Sequence, residues 1–328
     1  MYQMMSLPLY SGTFQEYDSW RDLGQELERL GCDGIEGVWG GEDLPKDLPA
    51  ELILGYHLIF YPDWLDFYRD DRAALKQKFG SLEAVASFYG GLGPDTLLEQ
   101  YRADLPRAVN LGARYVVFHV SDVSLEEGYT YRWLHTNQEV IDAAVEVVNL
   151  ILGEERWPFE FLVENQWWPG FTFTEPEETA RLLEGIRFAG KGILLDTGHL
   201  MNACTELKTE AEGADYIRSM LNRHGSLAKW VRGVHLHQSL SGAYVKAHTG
   251  SLPAGLPEDY MERFGVSYQH ILQIDQHRPW TDPAILPVLE QIEPRYLTHE
   301  LSSRGRMARA EAVSVQTRLL QQGGRMRV

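Results

Sequence analysis

Acidic and imidazole side chains recur at the ends of short apolar segments along the whole chain. His57 ends Leu54-Gly55-Tyr56-His57, and Glu164 ends Phe161-Leu162-Val163-Glu164. The complete set of such residues is Glu36, His57, His119, Glu164, Asp196, His199, His235, His237 and Glu300. A strand that is buried on both faces is otherwise apolar. Polar residues in these positions therefore indicate a site.

One such residue alone has an ordinary explanation, since a buried histidine commonly bonds to a backbone carbonyl. This explanation does not cover the whole set of residues. Carboxylates and imidazoles that converge would repel one another, and they would lose their hydration without compensation. A divalent cation resolves this conflict. Mixed Glu, Asp and His ligands suit Zn²⁺, Mn²⁺, Co²⁺ or Mg²⁺.

The segments that carry these residues alternate with amphipathic stretches, which is typical of βα units and a parallel sheet. Eight strands are predicted, at Met4–Tyr10, Gly34–Val38, Leu52–Leu58, Tyr115–His119, Glu160–Glu164, Gly192–Asp196, Val231–His235 and Tyr296–Glu300. Helices are predicted at Ser19–Leu30, with Asp18 as its cap, and at Thr96–Leu111, Asn137–Leu152, Glu177–Ile186, Glu210–Arg223 and Met307–Gln321. The pattern predicts an α/β fold, a (β/α)8 TIM barrel, as one domain over residues 1–328.

Two long segments exceed the minimal βα unit. Phe60–Asp95 follows the third predicted strand and Gln238–Asp282 follows the seventh. Both would leave the same end of the barrel, the end that carries the chemistry in this architecture. We expect them to form a lid or the walls of a substrate pocket. The tail Arg318–Val328 is expected to be frayed.

The composition of the chain limits the kinds of binding partner that we expect. The 328 residues contain 30 Lys and Arg against 47 Asp and Glu, a formal charge of −17, which disfavours nucleic acid. Cys32 and Cys204 cannot form a disulfide framework. Without an apolar run of membrane-spanning length or a signal-peptide profile, the sequence predicts a cytoplasmic protein with no membrane contact. The sequence is also compatible with a homo-oligomer.

The run Gly192-Ile193-Leu194-Leu195-Asp196-Thr197-Gly198-His199 carries a resemblance to a known family. Together with Leu162-Val163-Glu164-Asn165, Val234-His235-Leu236-His237-Gln238 and Glu300, it resembles the xylose isomerase-like TIM-barrel superfamily. That superfamily includes sugar isomerases, epimerases and the endonuclease IV type of apurinic endonuclease. The resemblance implies a metal site of Glu164, Asp196, His235 and Glu300, with His237 as a rival to His235.

The first interpretation is a sugar isomerase or epimerase, or a related lyase, that holds about one metal ion and acts on a sugar, polyol or hydroxy-keto substrate. Glu164 and Glu300 would accept and donate the proton around a metal-stabilised enediolate, and His199 would orient a hydroxyl. Aromatic residues in the loops after the strands suit sugar faces. The predicted substrate-binding residues are Glu36, His57, His119, Trp167 and His237.

The second interpretation is a zinc-dependent phosphodiester hydrolase acting on abasic DNA. His57 and His119 match the two early histidines of the endonuclease branch, and Asp275-Gln276-His277 resembles its Asp-x-His element, which would allow three metals. Two features depart from that branch: forty residues separate His235 from Asp275, and Leu58-Ile59-Phe60-Tyr61 follows His57 where the branch has His-x-Pro. Asp275 and His277 are equally explained as solvated loop residues. A third interpretation is a non-enzymatic ligand-binding barrel.

Overall fold

The computed structural model describes residues 1–323, which form a closed barrel of parallel strands in sequential order, the first pairing with the last. The eight strands are β1 (Tyr2–Leu9), β2 (Gly34–Trp39), β3 (Ile53–His57), β4 (Tyr115–His119), β5 (Glu160–Glu164), β6 (Lys191–Asp196), β7 (Val231–His235) and β8 (Tyr296–His299). The prediction of a TIM barrel is confirmed.

Helices surround the barrel and fill the long loops. They are α1 (Ser11–Phe14), α2 (Trp20–Leu30), α3 (Leu65–Tyr68), α4 (Arg72–Phe79), α5 (Leu82–Tyr89), α6 (Pro94–Asn110), α7 (Leu125–Thr130), α8 (Asn137–Leu152), α9 (Pro176–Gly185), α10 (Thr197–Asn202), α11 (Glu210–His224), α12 (Gly242–His248), α13 (Tyr260–Ile274), α14 (Leu286–Ile292) and α15 (Gly305–Gln322). Short 3₁₀ turns lie at Ala50–Leu52, Gly225–Trp230 and Pro283–Ile285.

The barrel interior is filled by one small cluster of buried side chains, made of Met4, Leu54, Tyr115, Val117, Leu162, Leu194 and Tyr296. Alternate residues of a strand face the same side. His119 therefore continues the row of Tyr115 and Val117, Glu164 follows Leu162, and Asp196 follows Leu194. In each of these strands the inward-facing side chains are apolar and fill the barrel, except for the last one, at the carboxyl end, which is ionisable.

Two sequence predictions change at the ends of elements. Ser19, not Asp18, caps α2, because its side chain accepts the backbone N–H of Asp22. The tail was expected to be frayed from Arg318 onwards, but it is helical up to Gln322. The helix α15 continues to that residue and buries Leu319 and Leu320. The rest of the predicted tail, residues 324–328, lies outside the described residues.

The two long segments contain more helix than their sequences indicate. The first holds α3 to α5, and the second holds α12 and α13. The pattern missed α13 because its apolar residues are not confined to one face: Met261, Val266 and Tyr268 are exposed. The segments meet through stacked rings of Phe79 and Tyr260, 4.0 Å between centroids. Among residues 1–323, no helix is long and apolar enough to cross a membrane.

Candidate metal centre

A central group of four ionisable residues lies at the carboxyl end of the barrel. Donor atoms of Glu164, Asp196, His235 and Glu300 lie within 4.8 Å of one another. His235 Nδ1 is 2.8 Å from Glu300 Oε2 and 3.7 Å from Oε2 of Glu164 and from Oδ2 of Asp196. The structure thus brings together the four residues that the resemblance implied as ligands, with His235 rather than His237 among them.

A second group, here called the early group, consists of His57 of β3, His119 of β4 and Glu164 of β5. His57 and His119 face each other through Nε2 atoms 3.0 Å apart, and these lie 3.5 and 3.2 Å from Glu164 Oε2. Both histidines were expected to bind substrate. Their ring nitrogens meet the same carboxylate as the central group, within the 4.8 Å spacing of a ligand set, and their contact with substrate stays a prediction.

A late group joins α10 to the loop after β7. It consists of His199, His237, Asp275 and His277, again with donor atoms within 4.8 Å of one another. Asp275 Oδ2 is 2.6 Å from His277 Nε2 and 3.2 Å from His199 Nε2. The helix α13 ends at Ile274 and so delivers Asp275 to the site. Asp275 and His277 are therefore not solvated loop residues.

Two carboxylates connect these groups. Glu164 offers Oε2 to the early and central groups, while its Oε1 is 3.0 Å from His199 Nδ1. Asp196 Oδ2 lies 3.7 Å from His235 Nδ1 and 2.8 Å from His237 Nε2. The central group consequently shares one ligand with the early group and touches the late group through another.

Hydrogen bonds on the outer side fix which ring nitrogen faces each group. Nδ1 of His57, His199 and His277 lies 2.8 to 3.1 Å from the backbone carbonyls of Leu58, Asn165 and Glu300, respectively. A nitrogen that faces a carbonyl carries the hydrogen, which leaves a lone pair on Nε2. This is how metal-binding histidines are held.

Several buried atoms of the centre have no hydrogen-bond partner. They are Oε2 of Glu164 and Glu300, Nδ1 of His235 and His237, and Oδ1 of Asp275. His235 and Glu300 approach to 2.8 Å, yet the alignment is not that of a hydrogen bond. Buried polar atoms normally find partners. Convergent lone pairs without donors fit cations as the missing partners, so the residues present suit a metal centre.

The histidines and carboxylates of the centre interact strongly with one another because the centre is buried. Burial by itself lowers the pKa of His235, but Glu300, Glu36 and Glu164 together raise it well above its ordinary value. Burial by itself raises the pKa of Glu164, but His119 and His235 hold it well below the usual range. Among residues 1–323, the basic side chains with a nitrogen within 4.0 Å of these carboxylates are histidines, not Lys or Arg.

Glu36 is placed differently from the sequence expectation. It was expected to contact substrate, but it is fully buried below the metal centre. Its Oε2 accepts hydrogen bonds from Tyr115 Oη at 2.6 Å and Thr298 Oγ1 at 3.1 Å. Its Oε1 is 2.8 Å from His235 Nε2, but the alignment is not that of a hydrogen bond, and both atoms lack a hydrogen-bond partner. Glu36 thus lies behind the ring of His235, and its contact with substrate stays a prediction.

The turn from β6 into α10 explains the Asp-Thr-Gly-His run. Asp196 caps α10 by accepting the backbone N–H of His199 at 2.6 Å, which sets these two side chains one helical turn apart. Asn165 pairs with the backbone of Asp196 through both its amide atoms, at 2.8 and 3.0 Å. The sequence analysis quoted Asn165 in a motif without giving it this role.

Comparisons with known proteins agree with this architecture. The family model described as a xylose isomerase-like TIM barrel matches residues 25–288. The chain belongs to that family, as its motifs predicted. A search of curated protein sequences finds no match.

Solved structures resemble this chain at low sequence identity. A D-tagatose 3-epimerase-like protein is 15% identical with a TM-score of 0.51, covering 99% of this chain and 98% of that one. The mannonate dehydratase of Streptococcus suis serotype2 is 13% identical with a TM-score of 0.53, covering 99% and 94%. Endonuclease IV from Thermus thermophilus is 17% identical with a TM-score of 0.46, covering 98% and 100%.

Proposed function

We propose that this chain is a divalent-metal-dependent hydrolase of phosphate esters, with cations held side by side by the early, central and late groups. The observation that carries the proposal is the shared position of Glu164, whose Oε2 faces His119 at 3.2 Å and His235 at 3.7 Å. A carboxylate between two sets of imidazoles is the arrangement expected of a bridging ligand.

The ligand assignment follows the contacts. His57, His119 and Glu164 would hold one cation; Glu164, Asp196, His235 and Glu300 a second; His199, Asp275 and His277 a third, with His237 beside them. Bound divalent cations supply an activated water and neutralise the charge of a phosphate ester during displacement. The chain's own residues fix the tautomers of His57, His199 and His277, place Glu36 behind the ring of His235 and keep the centre buried.

An isomerase or epimerase is the second candidate, and the sequence analysis ranked it first. The completeness of the central group supports it, because Glu164, Asp196, His235 and Glu300 could hold one ion without further residues. In that mechanism Glu164 and Glu300 would accept and donate the proton, and the ion would stabilise the enediolate. The early and late groups, which also have the spacing of metal-ligand sets, would then hold no ion, which is why we rank the hydrolase first.

The charge of the chain supports a small substrate. A formal charge of −17 repels a nucleic-acid backbone, which proteins usually attract with clusters of Lys and Arg. A single phosphate ester needs only the cations of the centre. We therefore propose a small phosphorylated molecule as substrate rather than abasic DNA.

Elemental analysis of the purified protein, combined with activity assays, tests the proposal. The assays use p-nitrophenyl phosphate, bis-p-nitrophenyl phosphate, an abasic DNA duplex, and D-tagatose for epimerisation. About three ions per chain with release of p-nitrophenol are expected. About one ion with epimerisation of tagatose would support the second candidate, and cleavage of the duplex alone would change the substrate class. A chain that binds no divalent ion and turns over none of these would be a non-enzymatic barrel.

A further inference from the structure

Two tryptophans lie beside the late group. The ring of Trp167 is 5.2 Å from the ring of His199, and the contact of Trp167 with substrate, expected from the sequence, stays a prediction. Trp280 is fully buried, in the segment that follows Asp275. Its indole Nε1 donates a hydrogen bond of 2.8 Å to the backbone carbonyl of His237. Trp280 therefore holds the main chain of one member of the late group.

The main chain of His237 depends on side chains for its position. The strand β7 ends at His235, so the sheet does not hold the residue two positions further on. The backbone N–H of His237 donates to Thr197 Oγ1 at 3.2 Å, and its carbonyl oxygen lies 2.6 Å from the same hydroxyl. The bond from Trp280 completes this set of contacts. A shift of this short segment would move the His237 ring out of the late group.

The main chain of Trp280 is held in turn by Gln316 of α15. Gln316 is fully buried, and its Oε1 accepts the backbone N–H of Trp280 at 2.9 Å. Its Nε2 donates to the backbone carbonyl of Leu236 at 2.8 Å and lies 2.8 Å from Nδ1 of His299. Leu236 directly precedes His237. One side-chain amide thus joins α15 both to the residue before His237 and to the tryptophan that bonds to it.

These contacts require an amide at position 316. A backbone N–H can only donate, so Trp280 needs the oxygen of the amide, and a carbonyl can only accept, so Leu236 needs its nitrogen. A carboxylate would place an oxygen against the Leu236 carbonyl. An apolar side chain would leave the N–H of Trp280 buried without a partner, which is costly.

We infer that Gln316 and Trp280 are positioning residues that hold His237 where the late group can bind a cation. The inference rests on the proposed function, since it takes the late group to hold one of three ions. It goes beyond that function by assigning control of this ion to the last helix, α15, which contributes no residue to the three groups. Outer residues that fix a metal-binding histidine typically change the metal affinity about 10- to 100-fold.

Titration of the metal-free full-length protein with Zn²⁺ tests the inference, with a fluorescent chelator as competitor and elemental analysis as the count of bound ions. Trp280→Phe keeps an aromatic ring and the backbone N–H but removes the bond to His237. Gln316→Met keeps the approximate volume but removes the amide. Thr317→Val is the matched control, because Thr317 is a buried neighbour on α15 whose Oγ1 bonds to carbonyls of the same helix.

In Trp280→Phe and in Gln316→Met we expect one of the three ions to bind about tenfold more weakly, whereas the other two keep the wild-type affinity. The double variant should lose about tenfold rather than about a hundredfold, because both residues act on the same histidine. Thr317→Val should keep all three affinities, whatever its effect on the free energy of unfolding.

Three results would overturn the inference. They are unchanged affinities in both single variants, an equal weakening of all three ions, and a loss of about a hundredfold in the double variant, which would mean that the two residues act independently. Trp280→Phe decides the question by itself if Gln316→Met does not fold.

Assays with p-nitrophenyl phosphate separate this inference from the proposed function. If the variants weaken one ion as expected but the wild type releases no p-nitrophenol, the positioning role stands and the hydrolase fails. If the wild type hydrolyses the ester while its late group binds no ion, the hydrolase stands and the positioning role fails.

Discussion

Gly198 lies directly against the ring of His237. A Cβ atom at position 198 would be 2.0 Å from His237 Cε1 and 2.2 Å from Nδ1, closer than any normal contact. His237 in turn lies 2.8 Å from Asp196 through Nε2 and stacks on His277 with ring centroids 4.0 Å apart. The glycine of the Asp-Thr-Gly-His run therefore makes room for a member of the late group.

Gly198→Ala should displace His237 and disturb the late group. We expect the free energy of unfolding to fall by about 1–3 kcal/mol through overpacking, with loss of about one bound metal ion. Denaturant unfolding and elemental analysis measure the two effects. Gly24→Ala is the control, because nothing lies within 4 Å of the added methyl group in the middle of α2. It should be neutral or slightly stabilising. A Gly198→Ala protein with wild-type stability and metal content would contradict this geometry.

Glu164→Gln and Glu300→Gln should differ in the number of ions they retain. Glu164 serves the early and central groups, whereas Glu300 contributes to the central group alone. We therefore expect about one ion to remain in Glu164→Gln and about two in Glu300→Gln, with turnover abolished in both and the fold intact by circular dichroism. Glu160→Gln, at the opposite end of β5, should keep all ions. Full activity of Glu164→Gln would remove the bridging role.

Glu36→Gln should weaken metal binding without removing a ligand. Glu36 Oε1 lies 2.8 Å from His235 Nε2, and a neutral amide would remove the negative charge that acts on this ring. A loss of affinity of about 10- to 100-fold is typical of such supporting residues. Competition with a chelator measures it. Tyr115→Phe, which removes one hydrogen bond to Glu36, should have a smaller effect in the same direction. An unchanged affinity in Glu36→Gln would show that His235 needs no such support.

Asp63 should make stability depend on pH near neutrality. Burial raises the pKa of Asp63 to about 7, although Lys78, 2.7 Å away, acts in the opposite direction. In the unfolded chain the pKa is about 4, so between pH 4 and 7 the folded state holds a proton that the unfolded state has released. The free energy of unfolding therefore falls as pH rises through this window, by at most about 1.4 kcal/mol per pH unit from this residue.

Asp63→Asn removes this titration. Its stability relative to wild type should rise between pH 5 and pH 8, as measured by denaturant unfolding at several pH values. Asp142→Asn is the matched comparison, because Arg181 lowers the pKa of Asp142 and this carboxyl is ionised in both states above pH 5. Its effect on stability should be constant over the same range. Parallel curves for the two variants would show that Asp63 is ionised throughout.

The sequence by itself determined the barrel and the inward rows that end in ionisable residues. Apolar residues in short runs predicted every strand, and the two-residue repeat of a strand placed His119, Glu164 and Asp196 on the same side as the buried residues that precede them. This information is local, since each strand needs only its own neighbours in sequence to show which face is buried.

Only the tertiary structure decided how the remaining residues meet. Asp275 and His277 follow a helix that the pattern missed, and they reach the centre because α13 packs across the loops after β3 and β4. The same holds for Glu36, whose contacts with Tyr115, Thr298 and His235 join strands far apart in the chain. Contacts of this kind depend on the packing of distant segments, and no local periodicity in the sequence records them.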